Sequence, residues 1–199
     1  MRSLICHLRY DSRVRFKFTH LLPLGHHKLL SLITELRQRP CPHCQRSETL
    51  IRHGYSTGYK AHGHQREVRR FRFFCSNRHN RPGCGRTFSI LWSHLIARSS
   101  MAASQLLELI SQVTQGVPLH RVWHQGDFTF SITTAYRWFQ RWQLHQAHLR
   151  SHLCQTHPPP RGDLGSAGAS TFLHLSQTYP NECCRITAFQ NQHQQDFLP

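Results

Sequence analysis

The chain has 199 residues, 38% of them apolar, and a formal charge of +16 at neutral pH. So low an apolar share argues against one large core, and no run approaches the ~20 apolar residues of a membrane span; small modules held by metal or by a partner fit better. The charge is lopsided: residues 1–100 carry 19 Lys+Arg against 4 Asp+Glu, whereas residues 101–199 carry 6 against 5.

Residues 1–28 form a basic N-terminal arm, in which VRFKF (14–18) alternates apolar and basic residues as a short strand does. HKLLSLITELRQ (27–38) places Leu29, Leu32, Ile33 and Leu36 at helical spacing, and Pro40 stops it. ETLIRHG (48–54) and EVRRFRFFC (67–75) read as strands joined by the Gly- and His-rich loop GYSTGYKAHGHQ. The period of two puts Val68, Arg70, Arg72 and Phe74 on one face of the second strand and Arg69, Phe71 and Phe73 on the other. Phe88, Ile90, Leu91 and Trp92 are expected to pack over the resulting two- or three-stranded sheet.

From Ser100 the pattern becomes helical. MAASQLLELISQVTQG (101–116) carries a stripe of Leu106, Leu109, Ile110 and Val113, with Gly116 as its stop. Pro118 opens a short helix, PLHRVWHQ, which Gly126 ends. Ser131 caps a long third helix, SITTAYRWFQRWQLHQAHLRSHLC (131–154), whose buried face is expected to be Ile132, Ala135, Tyr136, Phe139 and Trp142. PPPRGDLGSAGAS (158–170) reads as a linker or disordered segment, and TFLHLSQTYPNECCRITAFQ as one short helix docking back.

Eight cysteines are present, and the opening MRSLICHLRYDSRVRF lacks an apolar stretch of signal-peptide length, so metal thiolates in a reducing compartment are expected rather than disulfides. Cys41-x2-Cys44 has the short spacing of a zinc knuckle. Cys75-x8-Cys84 is wider, and closes on Gly85-Arg86-Thr87-Phe88. The expected ligands of one structural Zn²⁺ are Cys41, Cys44, Cys75 and Cys84. His79 offers a competing ligand as Cys75-x3-His79, and free cysteines in an apolar core are the plainer alternative. Cys6, Cys154, Cys183 and Cys184 read as incidental thiols. The 18 histidines are scattered, and no second metal site is expected from them.

The basic residues are almost all arginine, since Lys17, Lys28 and Lys60 are the only lysines. Arginine suits bidentate phosphate and guanine contacts, which points to a nucleic acid. Phosphate contacts are expected from Arg69, Arg70, Arg72, Arg78, Arg81 and Arg86. Helix, short helix and long helix is the layout of a helix-turn-helix. Its third helix turns Ser131, Thr133, Thr134, Arg137 and Arg141 away from the apolar stripe, where they would read base edges. A plain three-helix packing unit is the alternative. The expected fold class is therefore α+β. A basic arm (1–28) precedes a zinc-ribbon domain with its leading helix (29–99). A helix-turn-helix module (100–154) and a partly disordered C-terminal tail (155–199) follow.

The string CPHC…IRHGYSTG…RRFRFFC…CGRTFS, followed by SITTAYRWFQRW, resembles the N-terminal DNA-recognition part of bacterial insertion-sequence transposases and short bacterial proteins related to them. In those proteins a zinc ribbon precedes a helix-turn-helix. The resemblance covers roughly residues 40–150. It implies that double-stranded DNA is the partner, with a transposase or a second copy of the chain as protein partner. It also implies a cytoplasmic, nucleoid-associated location with no membrane. Such transposases join DNA with three carboxylates holding two metal ions. Here the acids are Asp11, Glu35, Glu48, Glu67, Glu108, Asp127, Asp163, Glu182 and Asp196, and none follows an apolar strand of an α/β region. The expectation is thus a DNA-binding protein without the catalytic domain. Two other readings stand beside it: a transposase component with a different catalytic site, and an RNA-binding ribbon protein stacking bases on exposed Phe71, Phe73, Tyr55 and Tyr59.

Overall fold

A computed structural model describes residues 13–16, 34, 35, 37–59, 66–97, 99, 101–126, 128, 130–161 and 165–198. The described part is α+β, with one small sheet and five helices. It divides into two compact units, residues 1–58 with 68–92 and residues 59–67 with 93–199. Among the described residues, no helix is long and apolar enough to cross a membrane.

The sheet contains β1 (Arg13–Phe16), β2 (Leu50–Tyr59), β3 (Arg66–Cys75) and β4 (Thr87–Trp92), in the order β1-β4-β3-β2. β4 runs antiparallel to β3 and parallel to β1. Alternation along β3 works as its sequence suggests for one face: Phe71, Phe73 and Cys75 are buried while Arg70 and Arg72 are exposed. Phe73 stacks on Phe88 at 5.7 Å, and Phe71 meets Trp92 edge-on at 5.8 Å. Two features differ from the sequence reading. The segment 87–92 is not a cover but a strand, paired with β3 so that Phe71 faces Ile90 and Phe73 faces Phe88. β2 also continues through Tyr59 instead of ending at Gly54. Its Gly58 lies under Arg69, whose side chain a Cβ at that position would strike, so this glycine permits a close crossing rather than a turn.

Of the leading helix expected over 27–38, residues 34, 35, 37 and 38 are helical, and Arg39 pairs with Glu35 at 2.8 Å; the rest lies outside the described residues, as does most of the N-terminal arm.

The second unit contains α1 (Ala103–Thr114), α2 (Leu119–Gln125), α3 (Ile132–Leu153), α4 (Ala167–Thr178) and α5 (Arg185–His193). Gln105 reaches back to the Ala102 N–H at 3.1 Å to cap α1. Gly126 ends α2, and the Trp123 indole N–H donates to the Phe130 carbonyl at 3.0 Å across the turn into α3. Ser131 caps α3 by accepting the Thr134 N–H at 3.4 Å. The buried stripe of α3 is Ala135, Trp138, Trp142, Gln146, Leu149 and Leu153. Tyr136, expected inside, is 47% exposed, and Trp138 takes its place. Aromatic residues stand on several sides of this helix, so residue type alone does not set the phase.

The C-terminal residues depart most from expectation. Instead of a partly disordered tail with one short helix, residues 167–178 and 185–193 form two helices, broken around Pro180. The run Ser166-Ala167-Gly168-Ala169 is a helix start, with Ser166 accepting the Ala169 N–H at 3.1 Å. A Cβ on Gly168 would lie 3.2 Å from the Gln146 amide and 3.5 Å from the Trp142 indole nitrogen. Small residues here let α4 approach α3 closely. Residues 162–164 lie outside the described residues.

Leu175, Ile186, Phe189, Phe197 and Leu198 complete one core with Leu106, Ile110 and Trp142. Trp142 stacks on Phe197 at 5.8 Å. The fully buried Gln190 donates to the Ser93 and Leu95 carbonyls at 2.7 and 3.3 Å, and accepts the Phe197 N–H at 3.1 Å. Such a satisfied buried amide fixes how three segments meet.

Histidines far apart in the chain also converge in this unit. His152 lies 4.6 Å from His148 and 5.0 Å from His193, ring to ring, and the Tyr179 hydroxyl is 3.3 Å from His193 Nε2. Burial, then the neighbouring His152 and His148, lowers the His193 pKa from 6.5 to about 4. Burial and His148 lower His152 as well. The unfolded chain takes up protons near pH 6.5 that these folded rings refuse. Acidification therefore favours unfolding, and stability lost from about pH 6.5 down to about 4 is fully present above that window. The urea midpoint of the helical unit, followed by circular dichroism, should fall across that window and should fall less in His193→Gln. Equal midpoints at pH 7 and pH 4.5 would contradict this.

Candidate metal centre and basic surface

The first knuckle is a tight turn. The Gln45 N–H donates to the Cys41 carbonyl at 2.8 Å, the Cys41 N–H to the Arg46 carbonyl at 2.9 Å, and the His43 N–H points at Cys41 Sγ at 3.4 Å. Gln45 takes a left-handed φ of 60° to bring the chain out.

The second pair sits where β3 ends. The Cys75 N–H donates to the Arg86 carbonyl and the Gly85 N–H returns to the Cys75 carbonyl, both at 2.9 Å. Gly85 has φ +70°, a conformation that favours glycine. The Gly83 N–H donates to the Ser76 carbonyl at 3.0 Å. A Cβ on Gly83 would collide with that same carbonyl. The wide spacing is therefore closed at its base.

These turns bring the four sulfurs together. Cys41 Sγ is 3.9 Å from Cys84 Sγ, and Cys44 Sγ is 3.7 Å from Cys75 Sγ. All four lie within 4.8 Å of one another. A tetrahedral thiolate site with metal–sulfur bonds of ~2.3 Å has edges of about 3.8 Å, so the spacing suits a metal ion. Among the described residues no other group of His, Cys, Asp or Glu side chains is so placed. His79, the competing ligand, is exposed with φ 52° and is not in the group. Cys154 and Cys183 are exposed, Cys184 is half-buried, and Cys6 lies outside the described residues.

The thiols do not ionise alike. Burial pushes Cys41 up to about 12, and burial raises Cys84 too. Cys75 is also desolvated, yet the Thr49 hydroxyl at 3.1 Å and the Cys84 N–H at 3.2 Å stabilise its thiolate and bring it down to about 7. A cation would hold all four as thiolates, since the metal competes with the proton.

The arginines expected to touch phosphate differ in their surroundings. Arg70 and Arg72 project from the open face of β3, and Arg70 Nε donates to Ser56 Oγ at 2.7 Å. Across the register, Arg72 faces Ser89 and then Arg13, while Arg70 faces Leu91 and then Arg15. The sequence alone did not disclose the parallel β1–β4 pairing, because it is long-range. Arg78, Arg81 and Arg86 are exposed, whereas Arg69 is half-buried. The Arg78 guanidinium lies 5.7 Å from the Phe74 ring.

Of the aromatic residues expected to be exposed, Tyr55 and Tyr59 are 54% and 51% exposed, but Phe71 and Phe73 are 2% and 0% exposed. Alternation on β3 turns both phenylalanines into the core. In the helical unit, Thr133, Arg137 and Arg141 are exposed. The Ser131 and Thr134 hydroxyls are 3.1 Å apart within the cap, and Arg141 lies 5.1 Å over Trp138. Tyr136, missed by the sequence reading, joins this outward surface.

Comparison with protein families, with characterised proteins and with solved structures returned no match.

Proposed function

We propose that the protein is a zinc-dependent DNA-binding protein related to the DNA-recognition part of transposases, in which the metal builds the fold and the arginines bind the backbone of duplex DNA. The observation that carries this reading is the four-sulfur group closed at the end of β3, the strand that presents Arg70 and Arg72, with Arg78, Arg81 and Arg86 exposed on the segment between β3 and β4. Zn²⁺ is the ion that such an all-thiolate tetrahedron suits. Four protein ligands leave no open position, so its role is structural rather than catalytic.

In the second unit α2 and α3 act as a helix-turn-helix, with Thr133, Thr134, Tyr136 and Arg137 at the start of α3 placed to read base edges. Arg141 adds a backbone contact one turn on. The burial of Phe71 and Phe73 removes half of the aromatic platform that a single-stranded RNA binder would use, which favours duplex DNA. The chain binds DNA without cutting it, in the cytoplasm and against the nucleoid, alone or with a transposase or a second copy of itself.

The test is a salt titration of binding to duplex DNA, followed by fluorescence anisotropy. Affinity should fall steeply with salt, log K against log[salt] having a slope of about −0.9 per phosphate contacted. Arg72→Ala should weaken all sequences alike. Arg137→Ala should cost ~1–3 kcal/mol on a selected site and little on random DNA. Salt-independent binding, or preference for single-stranded RNA over the duplex, would overturn the reading. Nicking of DNA with Mg²⁺ by the purified chain would replace it with an enzymatic one.

A further inference from the structure

The Cys75–Cys84 knuckle is two things spliced together. At its base, Ser76 and Gly83 are joined by the Gly83 N–H to Ser76 carbonyl bond of 3.0 Å. Read across that bond, the sequence is Cys75-Ser76-Gly83-Cys84, the same x2 spacing as Cys41-Pro42-His43-Cys44. The residues between, Asn77-Arg78-His79-Asn80-Arg81-Pro82, contribute no ligand to the sulfur group and stand out as an exposed finger.

The finger has its own bracing. The Arg81 N–H donates to the Arg78 carbonyl at 3.2 Å, and the Arg78 N–H to Ser76 Oγ at 3.3 Å. His79 and Asn80 both take left-handed φ values, 52° and 60°, at its tip. Arg46, from the first knuckle, donates to the Pro82 carbonyl and props the finger from below. Consecutive left-handed residues other than glycine are costly, and a structure keeps them where the surroundings impose them. The finger holds two arginines and no acid.

We infer that residues 77–82 are a separable arginine finger that enters the minor groove of duplex DNA, preferring A·T-rich sequence. This rests on the DNA-binding reading above. The major groove, ~12 Å wide, admits a helix or a two-stranded ribbon, whereas the minor groove, ~6 Å wide, is entered by inserted arginine side chains. A·T-rich tracts narrow it further and deepen the negative potential that draws arginine in. The structural bonds at the base mean that the metal site does not need the finger.

Two variants test this, with the full chain as reference. The first deletes residues 77–82, joining Ser76 to Gly83. The second is Arg78→Ala/Arg81→Ala, which keeps the backbone. Each is assayed for zinc content, for salt-dependent affinity on A·T-rich and G·C-rich duplexes, and for competition by a minor-groove-binding drug. The deletion should retain one zinc per chain. Both variants should bind the A·T-rich duplex about 10-fold or more weakly, lose the A·T preference, and show a salt slope smaller by about 1–2. If the deletion loses its zinc, the finger is not separable, and that part of the inference falls. If the double variant binds both duplexes as the full chain does, or the drug does not compete, the finger does not enter the groove, while the DNA-binding reading stands. If the full chain binds no duplex at all, the failure is that of the DNA-binding reading itself.

Discussion

Replacing Cys41 by Ser should abolish metal binding and unfold the sheet unit while leaving the helical unit intact. Cys41 is fully buried, and its sulfur stands 3.9 Å from that of Cys84. The sheet's own core is small, resting on Leu50, Phe71, Phe73, Phe88, Ile90 and Trp92. Small cores of this kind depend on staples. Structural zinc sites supply apparent binding energies of ~10–16 kcal/mol, which is folding energy when the apo site is not preformed. The variant should therefore carry no zinc by elemental analysis. Hydrogen exchange should show protection lost along β3 and β4 and kept along α1 and α3. Treatment of the wild-type chain with a strong chelator should give the same pattern. Protection of β3 that survives both would mean that the sulfurs are buried thiols and that the metal is unnecessary.

Trp142→Ala should have the opposite signature. Trp142 is fully buried at the middle of α3 and stacks on Phe197, with Gly168 of α4 close beside its indole nitrogen. Removing it takes out a large apolar side chain and leaves a cavity where α3, α4 and the C-terminal residues meet. Large-to-small changes of this kind cost about 3–5 kcal/mol, a sizeable part of a domain's whole stability. The helical unit should unfold at markedly lower urea, read by far-ultraviolet circular dichroism, with zinc content unchanged. A loss below about 1 kcal/mol would mean that α4 and the residues after α5 contribute little to that core, against the packing described.

The knuckle spacing of Cys41 and Cys44, the β3 strand and the three helices up to Leu153 were legible because each rests on a local signal: a ligand spacing, a period of two, or a cap such as Ser131 and a stop such as Gly126. What was not legible rests on partners distant in sequence. β4 looked like a loose apolar cover because only its register against Phe71 and Phe73 makes it a strand. The Ala- and Gly-rich start of α4 looked like a linker because small residues serve loops and close helix contacts equally well, and only the position of Gly168 against Trp142 and Gln146 separates the two. Tyr136 and Trp138 exchanged places because a helix with aromatic residues on several sides offers no unique apolar stripe. The wide Cys75–Cys84 interval was readable as a ligand pair, but its closure depends on a single backbone bond from Gly83 to Ser76.

The measurement that tests the central claim most directly is binding of the purified chain to a labelled duplex, in the presence of Zn²⁺ and after treatment with a chelator, at low and moderate salt. The metal-bound chain should bind the duplex with an affinity that drops steeply as salt rises. Removing the zinc should abolish that binding, and restoring one zinc per chain should recover it. Binding that is unchanged when the zinc is removed, or a metal-bound chain that shows no affinity for the duplex at low salt, would contradict the account.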